Sequence, residues 1–363
     1  MNLPQSAYLD IGKLSRIFDK KSESYKLFWF KAIVDEVCNG NVEPTYEELI
    51  DNMIAEAWYM VTEFHLNLGP SDTLEKAVKH LAEISNIKNC EKREKLLNLI
   101  KDCDDNQLKE YKRTLTRNVP YRLQAPFLNV TWEKSVKVLA DQINHHDRLM
   151  YYFSQINGME TRIIMDKDWT RYIEINQEII KGWIELNMIT YLQRRNPSVP
   201  GIVDKIHPPQ ERKLQDIRKY WKMVIDVDKF YDIYGNNLLE KTDLSIDHFV
   251  PWSYVAHDEF WNLHPTTRSI NSQKSNGLPQ WEKYFPKLSQ IEYASYKVMW
   301  EHDEIHKEFE KCAREHLNNQ DVKGRLYREG LNFDQFKETL SDILEPVYQS
   351  AENAGFTQWT YGG

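Results

Sequence analysis

Residues 245–279 read S-I-D-H-F-V-P-W-S-Y-V-A-H-D-E-F-W-N-L-H-P-T-T-R-S-I-N-S-Q-K-S-N-G-L-P. The Asp247-His248 pair closes a run, 243–250, that alternates well enough for a β-strand. Neighbours on a strand face opposite ways unless the strand ends or bulges there. A strand end beside Pro251 therefore lets both side chains reach one site. Upstream, 230–234 is aromatic and β-prone, and Gly235-Asn236-Asn237 is a turn signal, so 230–250 predicts a β-hairpin. Downstream, 267–275 predicts a short helix stopped by Asn276-Gly277 and Pro279. On that helix Asn271 and Lys274 are three apart and share a face. A hairpin and a short helix could thus gather a carboxylate, an imidazole, an amide and an ammonium. That set suits phosphodiester hydrolysis: an anionic oxygen holds a metal, a base takes a proton from water, and a cation meets a phosphate.

Outward from this segment the chain reads as helices. Apolar residues recur at helical spacing over 22–37 and 45–68, and Gly69-Pro70 is a stop. Ser71 or Asp72 can cap the next helix, through Ile84. Shorter helices are expected at 91–100 and 106–116, one longer helix at 131–156, and further helices at 169–192, 211–227, 289–317 and 332–354. Residues 355–363 read as a frayed tail. The aromatic stripes read as core and not as a cofactor box.

The chain has 363 residues, roughly two to three domain lengths. It is 41% hydrophobic and 28% charged, with 13 Gly and 14 Pro, which excludes collagen-like and linker-like classes. No run of about 18 apolar residues predicts a membrane span. The first ten residues lack a basic start and an apolar core, so no secretory signal is read and a cytoplasmic location is expected. Cys38, Cys90, Cys103 and Cys312 form no CxxC pair, so reduced, mostly buried thiols are expected. The net charge is −8, yet residues 191–224 carry eight Lys/Arg (among them Arg194, Arg195, Arg212, Lys213 and Lys219) against three acids. Residues 111–130 carry four cations and no acid. A local basic strip is enough for nucleic-acid binding in an acidic chain.

Residues 230–279 resemble the HNH (ββα-metal) endonuclease family. The likeness rests on Asp247-His248, on Asn262 fourteen residues after His248, and on Asn271 nine residues further. Pro251, Thr267-Arg268-Ser269, Lys274 and Leu278-Pro279 add to it. With Asn271 in the third place, the segment looks most like the subgroup containing the HNH domain of the CRISPR RNA-guided nuclease. The flanking regions resemble, more weakly, bacterial HNH-domain proteins with helical flanks. The resemblance implies that His248 is the general base and that Asn262 holds the His248 backbone and ring. It implies Asp247 and Asn271 as metal ligands, for Mg²⁺ or Mn²⁺ since both donors are hard oxygens. Arg268 and Lys274 are expected to touch phosphate, and Arg194 and Arg195 to bind substrate.

The expectation is a mainly α protein around a small ββα-metal nuclease. Its parts are a helical domain 1–160, a basic connector 161–225, the nuclease 226–285 and a helical region 286–363. The implied function is metal-dependent cleavage of DNA, possibly RNA, in restriction or anti-phage defence. Implied partners are a second copy of the chain or a separate sensor or ATPase subunit, with no membrane. The alternatives are a nucleic-acid-binding module that no longer cuts and an RNA-cleaving toxin using the same site. His257 and His264 read as loop histidines or substitute ligands. The H-D-E-I-H run at 302–306 departs from the zinc-protease pattern. No GxxxxGK[ST] phosphate loop is present.

Overall fold

The computed structural model describes residues 2–20, 22–85, 87–89, 91–128, 135–208 and 214–362. The fold is mainly α, with three small two-stranded sheets among the described residues. The chain divides into two compact units rather than the four expected parts. One comprises Met1–Pro197 with Lys205–Pro209, the other Ser198–Asp204 with Gln210–Gly363.

In the N-terminal unit, helix Tyr25–Cys38 buries eight of its fourteen residues, Phe28, Trp29 and Phe30 among them. It is apolar nearly all round because helices Tyr46–Thr62 and Gln177–Arg195 both pack on it. Helix Tyr46–Thr62 opens on a capping box. Thr45 Oγ1 accepts the Glu48 N–H, and Glu48 Oε2 accepts the Thr45 N–H. Asp72, rather than Ser71, caps Thr73–Ile84 by accepting the Leu74 and Glu75 N–H groups.

The helix expected over 131–156 is instead helix Val136–Asn144 followed by strand Tyr151–Phe153, paired antiparallel with Ile163–Met165. Residues 131–134 lie outside the described residues. Helical spacing lost here to a turn, with Arg148 at φ +58°, and to a buried aromatic strand. Asn144 clasps that strand, donating to the Phe153 carbonyl and accepting its N–H, both at 2.8 Å.

The C-terminal unit holds the ββα element. Strand Leu244–His248 pairs antiparallel with Leu263–Thr267, and helix Arg268–Lys274 follows directly. The strand's partner is therefore not 230–234. That segment makes one bridge, Tyr231 to Leu238, around a turn held by Asp232. The Asp232 carboxylate accepts the N–H groups of Tyr234, Gly235 and Asn237. The turn signal was right, but its strands are too short to pair.

Helices Gln215–Val227, Trp281–Glu301, Asp303–His316 and Phe333–Asn353 make up most of the remainder. The helix expected over 289–317 breaks at His302, whose backbone is extended. The expected frayed tail is ordered in part. Gln358–Trp359 pairs parallel with Leu278–Pro279, and the Trp359 ring meets the Tyr234 ring edge-on at 5.0 Å. Gly277 permits that approach, because a Cβ there would lie 2.6 Å from Trp359 Cβ. No helix among the described residues is long and apolar enough to cross a membrane.

Candidate active site

Helix Arg268–Lys274 docks on strand Leu244–His248, whose last two residues are Asp247 and His248. Helix Arg268–Lys274 starts at Thr267, whose Oγ1 accepts the Ile270 N–H. The helix docks on the strand through the face the spacing predicted. Asn271 Nδ2 donates to Ser245 Oγ at 2.8 Å and to the Ile246 carbonyl at 3.1 Å. One turn on, Lys274 Nζ donates to the His248 carbonyl at 2.7 Å and to Asp247 Oδ1 at 3.2 Å.

Asp247 is buried and richly bonded. Tyr234 donates its hydroxyl hydrogen to Asp247 Oδ2 at 2.8 Å, and His264 Nε2 lies 3.5 Å from the same oxygen. Burial works against ionisation here. The Lys274 ammonium, with His264 and Tyr234, outweighs it and holds the carboxyl below the usual carboxylate range. Burial, helped by the Asp247 charge, pushes the Tyr234 hydroxyl well above its ordinary value, so Tyr234 remains a donor. Strand register places Asp247 opposite His264. That histidine is therefore a buried strand residue and not a loop histidine. The His257 ring lies 5.7 Å from that of Trp261.

His248 is 3% exposed, and its Nε2 lies 2.8 Å from Asp258 Oδ1. Asn262 is fully buried and works on the backbone just past the histidine. Its Oδ1 accepts the Val250 N–H at 2.8 Å and its Nδ2 donates to the Val250 carbonyl at 2.9 Å. Its own carbonyl accepts the Phe249 N–H. Asn262 thus braces the backbone just past His248.

Two expected substrate contacts, Lys274 and Arg195, stand differently. Lys274 was expected to touch phosphate, but its side chain is 0% exposed and it serves as the buried counter-charge of Asp247. Arg195 belongs to the N-terminal unit, where its guanidinium donates to the Ser22 carbonyl and to Tyr191 Oη, so it braces that unit. Arg194 is exposed on the last turn of helix Gln177–Arg195, in the same unit. Arg268 is exposed on the first turn of the site helix, as a phosphate contact requires. Of the basic strip, Arg212 and Lys213 lie outside the described residues, and Lys219 pairs with Glu308.

Among the described residues no three His, Cys, Asp or Glu side chains cluster to hold a metal. A site here rests on the Asp247 carboxylate and an asparagine amide. Both Nδ2 bonds of Asn271 go to the strand, which leaves Oδ1 as the group that can ligate. An ionised carboxylate and an amide oxygen fit a hard cation such as Mg²⁺ or Mn²⁺.

Sequence reasoning missed Tyr234 and Asp258. Tyr234 read as one aromatic of a β-prone run, and Asp258 as part of an undivided loop. The signal for Asp258 was its acid type, ten residues from His248 in a loop that must return to the site.

Residues 232–280 match the family model described as HNH endonuclease. The match covers the turn, both strands and the helix that carry the residues above, and it supports the HNH family for this segment. No curated protein and no solved structure matches the chain.

Proposed function

We propose that the C-terminal unit is a metal-dependent endonuclease that hydrolyses DNA phosphodiester bonds, with His248 as general base. The observation that carries this reading is that Asp247 and His248 end a strand on which the helix of Asn271 and Lys274 docks, within the segment that matches the HNH endonuclease model. There the histidine ring is held by a carboxylate and the ligand carboxyl is kept ionised. His248 takes a proton from the attacking water, which a neutral imidazole does near neutral pH. Asp247 and Asn271 hold the cation, Mg²⁺ or Mn²⁺, whose charge when bound polarises the phosphate and stabilises the leaving oxygen. Lys274 and Asn262 hold the backbone at the strand end, at His248 and at Val250. Arg268 contacts a phosphate, and Arg194 adds a backbone contact without base-reading chemistry. The Asp-His, Asn and Asn pattern favours the subgroup of the CRISPR-associated HNH domain. A role in restriction or anti-phage defence follows from that resemblance alone.

The test is incubation of purified protein with plasmid, single-stranded DNA and RNA, with Mg²⁺, Mn²⁺ or EDTA. Plasmid nicking that needs the cation is expected. His248→Ala should lower it by at least ~10²-fold while the protein still folds, as circular dichroism checks. Wild-type cutting by that variant overturns the base assignment. Cutting of RNA alone moves the substrate, and metal-dependent binding without cutting favours a module that has lost catalysis.

A further inference from the structure

We propose that Asp258 is a positioning residue that sets the tautomer and orientation of the His248 ring; this rests on the reading of His248 as the base. The loop carrying Asp258 is built rather than loose. After the short helix Trp252–Val255 the backbone turns at Ala256, in the left-handed region at φ +54°. The next residues are fastened to the end of helix Asp303–His316, outside the ββα element. His316 Nδ1 donates to the Asp258 carbonyl at 2.9 Å. Asn318 donates its N–H and its Nδ2 hydrogen to Glu259 Oε1, at 3.2 and 2.8 Å. These three bonds fix where the Asp258 side chain starts, and its Oδ1 ends 2.8 Å from His248 Nε2.

A carboxylate only accepts hydrogen bonds, so the hydrogen in this contact sits on Nε2. In a neutral ring the lone pair is then on Nδ1, the nitrogen that must take the proton from water. When Nδ1 gains that proton, the ring becomes a cation with a carboxylate already against it. A carboxylate that orients a base in this way raises the rate without touching substrate.

The experiment uses the full-length protein with ¹⁵N-labelled histidine and no added metal. Long-range ¹H–¹⁵N spectra at about pH 8, where an ordinary imidazole is neutral, report each ring's tautomer. The His248 signals are identified by their loss in His248→Ala. Wild type should show His248 with hydrogen on Nε2. Asp258→Ala should show a mixture of tautomers. In Mg²⁺-dependent plasmid cutting it should lose about 10²-fold in kcat, with KM within about threefold. The isosteric Asp258→Asn guards against a folding defect and should also perturb the tautomer. In a His248→Ala background, Asp258→Ala should add no further loss. Hydrogen on Nδ1 in wild type overturns the proposal, as does an unchanged ring spectrum and kcat in both Asp258 variants. If His248→Ala cuts normally, the base assignment fails instead. If no form of the protein cuts, the ring spectra still decide what Asp258 does.

Discussion

The N-terminal unit buries Lys112 against Asp51 at 2.6 Å, and the C-terminal unit buries Lys274 against Asp247 at 3.2 Å. The closer pair holds the less acidic carboxyl. Burial pushes Asp51 up to about 6, because Lys112 offsets only part of the desolvation and Glu47 adds a like charge. Asp247 goes the other way, since the Tyr234 hydroxyl and His264 join Lys274 in bonding it. A single counter-ion rarely repays the burial of a carboxylate, whereas a counter-ion with further donors does. The extra donors belong to the pair in the segment that matches the HNH endonuclease model. The other pair fastens helix Tyr46–Thr62 to helix Asn106–Leu115.

Removing the lysines should separate the two pairs most strongly. Lys274→Met leaves a buried carboxylate without its counter-charge, and a loss of about 3–5 kcal/mol is expected in urea denaturation of the C-terminal unit. Lys112→Met should cost less, and less at pH 5 than at pH 8, because Asp51 can take a proton. Equal losses at both positions and at both pH values would erase the contrast.

The pH dependence has opposite signs in the two units. Asp51 titrates at about 6 when folded and from an ordinary value of 3.8 otherwise. Between those values the folded chain holds more protons, so the stability of its unit should fall as pH rises through that window. Asp247 has a lowered folded value. Its contribution is present above the ordinary carboxylate range and is lost only as pH falls below it. Asp51→Asn should flatten the first trend in residue-resolved hydrogen exchange and leave the acid limb of the C-terminal unit alone.

A smaller effect tests how the extra donor is seated. A Cβ at Gly277 would lie 2.9 Å from the Lys274 carbonyl as well as against Trp359. Gly277→Ala should cost about 1–3 kcal/mol by overpacking and should release the 358–359 strand to protease. Gly324 has open space around its Cβ position, so Gly324→Ala serves as a neutral or stabilising control.

The smallest effects are expected at the caps of the two helices that carry these charges. Thr45→Ala, on the helix of Asp51, and Thr267→Ala, on the helix of Lys274, should each cost about 1 kcal/mol. Only the second should also slow plasmid cutting, because Asn271 and Lys274 ride on that helix.

Much of this was legible beforehand. The Asp72 cap, the shared face of Asn271 and Lys274, and the helix expected over 267–275 and found at Arg268–Lys274 follow from local spacing. Strand 243–250 was found, but its partner was misassigned. The aromatic run 230–234 has the same local signature as a strand, and nothing nearby in sequence reports that Leu263–Thr267 competes for it. The ordered tail was missed because Trp359 finds its partners at Gly277, Tyr234 and Tyr284, about 75 to 125 residues away.

By itself the sequence determined which residue types stand at which intervals: a carboxylate and imidazole in tandem, then two amides and an ammonium in fixed register. The shared face of Asn271 and Lys274 depends only on the helix period, which is local. The tertiary structure alone decided what each group does. Lys274 became a buried counter-ion rather than a phosphate contact, Arg195 a brace of the N-terminal unit, and Asp258 the neighbour of His248. Burial and charge pairing depend on every element that closes over a side chain, and those elements come from far along the chain.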